Sequence, residues 1–407
     1  MNAGSVRPAV TRTRKTNRMP WYCRTLTALL VVAMIPASAV GQTFMVLYQF
    51  RQGEISNPAS SLILDSEGNL YGTTLYGGDL RCNTPFGCGT VYRVDATGKR
   101  TVLYSFTGKT DGGLPAGGLI RDEAGNLFGT TENGGDVSKN SQTGAGVVFK
   151  LSATGEETVL HSFGAAMDAD LPAAGLIHDE NGNLYGTTVG GGKFGWGAVF
   201  RVSVRGQETV LSSFAGGAAG QAPFGGVVRD AAGNFYGTTT YGGTFNMGTI
   251  FRADKTGKQT VLHSFTGGAD GGQPYAGLVP NGDDLYGTTE SGGTFGNGTV
   301  FKVDKSGKET VVHSFTGGAD GATPYAALIT DTAGNLYGTT ASGGEGGVGT
   351  VFKMDTAGNE TVLYSFTYGE DGGVPVSGVV RDAAGNTYGT TENGGSFGFG
   401  TLFKITP

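Results

Sequence analysis

Tyr275-Ala-Gly-Leu-Val279, Pro280-Asn-Gly-Asp-Asp284, Leu285-Tyr-Gly-Thr-Thr289, Glu290-Ser-Gly-Gly-Thr-Phe-Gly-Asn-Gly298, Thr299-Val-Phe-Lys-Val303, Asp304-Lys-Ser-Gly-Lys308 and Thr310-Val-Val-His-Ser-Phe315 divide one stretch of this chain. Four of these pieces are short apolar runs rich in β-branched and aromatic residues. The pieces between them are clusters of Gly, Asn, Asp and Pro, which punctuate strands. No window of 11 or more residues carries a helical period. The stretch therefore predicts four strands. Its Asp-x-x-Gly connections suit tight hairpins, because the carboxylate accepts backbone N–H bonds and glycine supplies a positive φ.

The same stretch recurs along the chain. Its marker, Tyr-Gly-Thr-Thr (Phe in one copy), starts at Tyr71, Phe128, Tyr185, Tyr236, Tyr286, Tyr337 and Tyr388. A period of about 50 residues means stacked supersecondary units, since one unit cannot bury its own apolar face. Four antiparallel strands per period describe a β-propeller blade, and seven copies give seven blades. The ends support closure. Phe44-Met-Val-Leu-Tyr-Gln-Phe50 is a strand of the fourth type, and Gly400-Thr-Leu-Phe-Lys-Ile405 is one of the third type. The expected fold is all-β, with residues 42–407 forming a ring closed by the N-terminal strand joining the last blade. Closure removes the open edge that invites aggregation.

Residues 1–41 read differently. Six bases lead into Leu26-Thr-Ala-Leu-Leu-Val-Val-Ala-Met-Ile35, then small residues, which is the pattern of a secretory signal peptide cleaved near Ala39 or Gly41. Met19 would give a leader of more usual length. The apolar run is too short to serve as a stable membrane anchor. Residues 1–41 hold six of the 28 bases and none of the 34 acids, which leaves 22 bases against 34 acids in the mature chain. That balance argues against nucleic acid as a partner. Cys82 and Cys88 remain after cleavage, and an even pair in an exported chain reads as a disulfide. The expectation is a monomer, secreted or periplasmic.

Chemistry is sparse. No zinc-type His-Glu-x-x-His, nucleophile elbow or complete phosphate loop occurs. His161, His263 and His313 share a repeat position with Tyr48, Tyr104, Ser212 and Tyr364, so they are expected to pack between blades and no metal ligand is assigned. Asp111, Asp168, Asp270, Asp320 and Asp371 recur in the loop entering each blade, with Ala219 in the fourth copy. They could line one rim and bind calcium. Turn formation is the favoured reading, because these loops lack the closely spaced acids of a pattern such as Asp-x-Asp-x-Asp-Gly. The loops between second and third strands carry Phe86, Phe194, Trp196, Phe245, Phe295, Phe397 and Phe399. Such rings either stack on sugars and protein partners or tuck between blades, and tucking is the expectation. Longer loops in the first two copies, Asp79 to Cys88 and Asp136 to Ala145, fall on the same rim. The candidate ligand-binding residues are Phe194, Trp196, Phe245, Phe295, Asp111, Asp270, Asp320 and Asp371.

The pattern Asp-x-x-Gly-Asn-Leu-Tyr-Gly-Thr-Thr-x-x-Gly-Gly, then Gly-Thr-Val-Phe-Lys-Val-Asp, then Glu-Thr-Val-Leu-His-Ser-Phe, resembles the GloVer tandem repeat of exported bacterial choice-of-anchor proteins. The resemblance spans nearly all of the mature chain. It implies export and repetition, and it brings no catalytic residue with it. Some members end in an anchoring segment, whereas this chain stops at Ile405-Thr-Pro407, so a soluble exported form is expected. Two functions fit: a non-catalytic scaffold using one loop-rich rim for an extracellular or envelope glycan or protein, or a polysaccharide lyase or hydrolase with its site at the central channel. Near-identical residues in every blade favour the scaffold, since catalysis needs asymmetric groups.

Overall fold

The computed structural model describes residues 42–407 apart from 54, 59, 139–142 and 165–167; the expected leader, residues 1–41, lies outside the described residues. Seven four-stranded antiparallel sheets follow one another as blades. In the fifth blade the strands are Val279–Asn281, Asp284–Thr289, Thr299–Val303 and Glu309–Ser314, innermost to outermost. The innermost strand is shorter than the apolar run predicts. Tyr275 to Leu278 precede it without ladder partners, and Tyr275, Ala276 and Gly277 line the central channel instead. A single 3-10 turn, Gly217–Ala219, is the only helical segment among the described residues.

The Tyr-Gly-Thr-Thr marker is a set of four different joints. The tyrosine hydroxyl donates to the aspartate of its own hairpin, as in Tyr185 to Asp179 at 2.8 Å and Tyr337 to Asp331 at 2.9 Å. Glycine leaves room for an aromatic ring on the third strand: a Cβ on Gly287 would lie 2.6 Å from Phe301 Cζ. The first threonine reaches the next blade, where Thr238 Oγ1 donates to the Ala276 carbonyl at 2.7 Å and Thr339 to that of Ser377 at 2.9 Å. The second threonine pairs with a threonine on the third strand, as in Thr289 with Thr299 at 2.9 Å. All of these threonines are buried, so each hydroxyl needs the partner it has.

The cores lie at the seams between blades. The last residue of each outermost run, Phe50, Phe106, Phe163, Phe214, Phe265, Phe315 or Phe366, is fully buried. Each meets an aromatic ring on the third strand of the following blade edge-on. Phe214–Phe251 has centroids 4.8 Å apart and Phe265–Phe301 5.2 Å. The seventh seam is closed in the same way by Phe50 and Tyr92, at 5.6 Å. Tyr92 is the exception among these third-strand rings. Its hydroxyl is buried without a hydrogen-bond partner where six other blades carry Phe. Removing an unsatisfied buried hydroxyl should stabilise. Tyr92→Phe is expected to raise stability by about 1 kcal/mol, read as a higher melting temperature. An unchanged or lower value would mean that the hydroxyl has a partner in solution.

The N-terminal strand Thr43–Gln49 pairs antiparallel with Thr401–Thr406, so the last blade is completed by the start of the chain as the sequence predicts. This arrangement places all the tight Asp-x-x-Gly hairpins on one rim. The loops between second and third strands and the loops entering each blade share the other.

Candidate functional site

The loop-bearing rim is where most of the predicted residues sit. In the loop after Thr289, Gly296 N–H donates to the Gly293 carbonyl and closes a turn with Phe295 near its tip. Glycines flank the ring, and a Cβ at Gly296 would meet nothing within 4 Å. The side chain is left more than half exposed. Phe86, Phe194, Phe245, Phe295 and Phe397 take equivalent places on five blades, and they are 52%, 49%, 57%, 57% and 43% exposed. Trp196, 48% exposed, lies over the backbone of Gly216. The expectation that these rings tuck between blades is therefore corrected: glycine-closed tips provide no seam to enter. Phe399 alone packs against a seam core. Lys193 and Arg51 approach the faces of Phe194 and Phe397, at 5.2 and 4.1 Å. Apart from Phe194 and Trp196, which share a loop, the rings stand on separate blades and form an array along the rim rather than one pocket.

The recurrent aspartates lie at the seams, below this array. Asp270 accepts the backbone N–H of Thr266 at 2.9 Å and the Thr266 hydroxyl, and its Oδ2 faces His263 Nε2 at 3.2 Å. Asp320 does the same with Thr316 and His313. Asp111 and Asp371 accept from Thr107 and Thr367, and from the hydroxyls of Tyr104 and Tyr364 at 3.1 Å each. These four carboxylates are thus engaged in holding the entering loop. The histidines, each edge-on to the phenylalanine two residues on, are their seam partners.

A third member of four of the seams escapes sequence reasoning. Glu157, Glu208, Glu309 and Glu360 begin the outermost strand of the following blade, and one oxygen of each is buried without a hydrogen-bond partner. Burial, followed by the facing charge of Asp111, Asp270 or Asp320, pushes Glu157, Glu309 and Glu360 up to about 7. Burial and the hydrogen bond to Asp168 push Glu208 up to about 8. The fourth copy supplies a sequence signal for this pairing. Ala219 stands where the aspartate should be, and Gln259 stands where the glutamate should be, donating to the Ala219 carbonyl at 2.6 Å.

The central channel is narrow. Gly117, Gly225 and Gly277 bring neighbouring walls together, and a Cβ on Gly225 would lie 2.3 Å from Gly277 N. The remaining space, about 170 Å³, is lined by Gly, Ala and Ser with Phe224, Tyr275, Tyr325 and Val376. Carboxylates, imidazoles and ammonium groups are absent from that lining among the described residues. Two larger recesses open on the hairpin rim, about 620 and 740 Å³, with Ile177 and His178 lining both and Arg121 and Arg229 one each. Sequence reasoning passed over His178 because it sits beside an ordinary turn. Cys82 and Cys88 form a disulfide in the first long loop, with Cα atoms 5.6 Å apart.

Fold and seams define a seven-bladed propeller built from one tandem repeat. The chain belongs to the Gloeobacter/Verrucomicrobia repeat family, whose model matches residues 34–192, 84–284 and 263–407. No curated protein matches it. In fold it is similar to virginiamycin B lyase from Staphylococcus aureus, at 13% identity and a TM-score of 0.55 over 90% of this chain and 99% of that one. It is also similar to the extracellular domain of a proposed one-component system from B. thetaiotaomicron, at 11% identity and 0.55, covering 88% of this chain and 39% of that one. A puromycin-hydrolyzing peptidase of Mycobacterium tuberculosis matches at 12% identity and 0.52, over 84% and 52%. At such identities the likeness concerns the fold alone.

Proposed function

We propose that this protein is an exported, non-catalytic binding scaffold whose loop-bearing rim engages an extracellular or envelope glycan, acting as a monomer. The observation that carries the reading is the array of exposed aromatic rings at one repeat position, Phe86, Phe194, Phe245, Phe295 and Phe397, joined by Trp196. Exposed rings on short rigid turns bind sugar faces with little ordering cost, and several weak sites on one face add through avidity. The disulfide accords with an oxidising compartment. The narrow channel, walled by small residues, supports a scaffold over a channel enzyme.

The test is binding of the mature chain, from Gln42, to an array of cell-envelope and extracellular glycans, with Phe194→Ala/Trp196→Ala and Phe245→Ala/Phe295→Ala as variants. Each double change is expected to weaken binding about 10-fold or more. Both should leave the melting temperature within a few degrees, since exposed positions contribute roughly 0.5 kcal/mol or less. Retained affinity in both variants would overturn the rim reading. Protein partners come next if no glycan binds.

A further inference from the structure

One seam differs from its neighbours. Between the second and third blades, Gly164 replaces the threonine whose hydroxyl caps the aspartate at four other seams. Asp168 accepts the backbone N–H groups of Gly164 and Ala169, at 3.1 and 2.9 Å. It lies in a cluster, the one such group among the described residues, in which one ligand atom each from His161, Asp168 and Glu208 falls within 4.8 Å of the others. Its side chain is only 5% exposed. His161 Nε2 is 3.5 Å from Asp168 Oδ2, yet it is buried and makes no hydrogen bond. Glu208 Oε1 is likewise buried and unpartnered. The loop also holds a second acid, Asp170, where other blades carry Gly113, Gln221, Gly272, Ala322 or Gly373. Asp170 is fixed by ladder pairing with Gly190, and its Oδ1 is buried without a partner. Asp168-Ala-Asp170 thus supplies part of the alternating-acid pattern that the other loops lack.

We infer that His161, Asp168 and Glu208 form a binding site for one divalent transition-metal ion, zinc in particular. Two carboxyl groups converge with one imidazole, and a divalent cation would satisfy His161 Nε2 and Glu208 Oε1, which the seam otherwise leaves buried without partners. The donor set decides the class. Imidazole nitrogen with carboxylate oxygens suits zinc, whereas calcium takes an all-oxygen shell. The 3.5 Å between Nε2 and Oδ2 is close to the separation of two ligands on a tetrahedron about 2.1 Å from its metal, which is about 3.4 Å. The seams of His263 and His313 carry the same residue types, but their three ligand atoms do not gather within 4.8 Å of one another. They are therefore internal controls. The site would clamp the second blade to the third beneath the aromatic rim.

The experiment is zinc titration of the chelator-treated mature chain by calorimetry, with metal content measured after desalting. The expected result is one equivalent of zinc with Kd below about 10 µM and a rise in melting temperature on loading, by mass action on the folded state. Glu208→Gln should weaken zinc binding at least 10-fold, as should His161→Gln, while Glu309→Gln leaves it unchanged. Glu208→Gln is isosteric, so folding is checked by its melting curve without metal. Sub-stoichiometric zinc, or equal affinity in Glu208→Gln and Glu309→Gln, would overturn the site. Calcium bound with no zinc would also overturn it.

Discussion

A chain lacking residues 42–50 is expected not to fold to a stable monomer. The segment is short, but it forms the entire outermost strand of the last blade and the seventh seam together. Its pairing with Thr401–Thr406 runs over six partners. Phe50 is fully buried against Tyr92, and Phe44 stacks on Tyr364 at 3.8 Å. Losing Phe50 alone, as Ala, should cost about 3–5 kcal/mol, a large share of the 5–15 kcal/mol that domains possess. The truncated chain also exposes the edge of Thr401–Thr406, which favours aggregation. A permuted chain separates topology from composition. Residues 42–50 would be moved to follow Pro407 through an Asp-Ala-Thr-Gly turn copied from Asp95-Ala-Thr-Gly98. The permutant should recover a single melting transition within a few degrees of the native one. A truncated chain that melts cooperatively as a monomer would refute the closure argument.

The second expected result is a protein that loses stability as the solution becomes more alkaline, between about pH 4.5 and 8. Glu157, Glu309 and Glu360 hold their protons in the folded state up to about 7, above the ordinary carboxyl range, because burial and Asp111, Asp270 and Asp320 disfavour their charge. A pKa raised on folding stabilises fully below the unfolded value. That stabilisation is lost as pH climbs through the folded value. The hairpin aspartates have the opposite sign. Asp65, Asp179, Asp230, Asp331 and Asp382 are held low, because hydrogen bonds from Asn and Tyr outweigh their burial, so their contribution disappears as pH falls below the ordinary aspartate range. Maximum stability is therefore expected near pH 4–5. A tenfold difference in proton affinity between the folded and unfolded chain corresponds to about 1.4 kcal/mol. These glutamates are about half solvent-screened, which reduces each to about 1 kcal/mol. Three together should lower the melting temperature by roughly 4 °C between pH 5 and 8.

Calorimetry of Glu157→Gln/Glu309→Gln/Glu360→Gln, with chelator present, tests this directly. The variant should lose most of the slope and melt higher than the native chain at pH 8. His263 and His313 face two of the same aspartates, so the single Glu157→Gln change is the clean control: its seam carries Tyr104 in place of histidine. A slope that survives the triple change would overturn the assignment of the pH dependence to the seam glutamates.

These seams also show where the sequence is readable. The Tyr-Gly-Thr-Thr marker discloses the fold because its contacts recur at the same period in most copies, and repetition separates a required residue from a tolerated one. Closure was readable for the same reason: Phe44 to Phe50 match an outermost strand with no blade of its own. The seam acids were not, because Asp270 and Glu309 belong to different repeats and meet only once neighbouring blades twist against each other. The joint change to Ala219 and Gln259 is the one trace of their contact in the sequence. Asp168-Ala-Asp170 is visible as letters, but its meaning depends on His161 and Glu208, which only the fold brings within 4.8 Å of Asp168. The exposed rings were misjudged because composition marks Phe295 as apolar, whereas the closure of its turn decides that nothing reaches it.

The pairing of Thr43 with Thr406 has one more consequence. Both ends of the described chain leave the molecule side by side, on the hairpin rim. Any segment joined at either end would act as a stalk rising from that face. The aromatic rim would then point away from whatever holds the stalk, like the working face of a stamp turned outward from its handle.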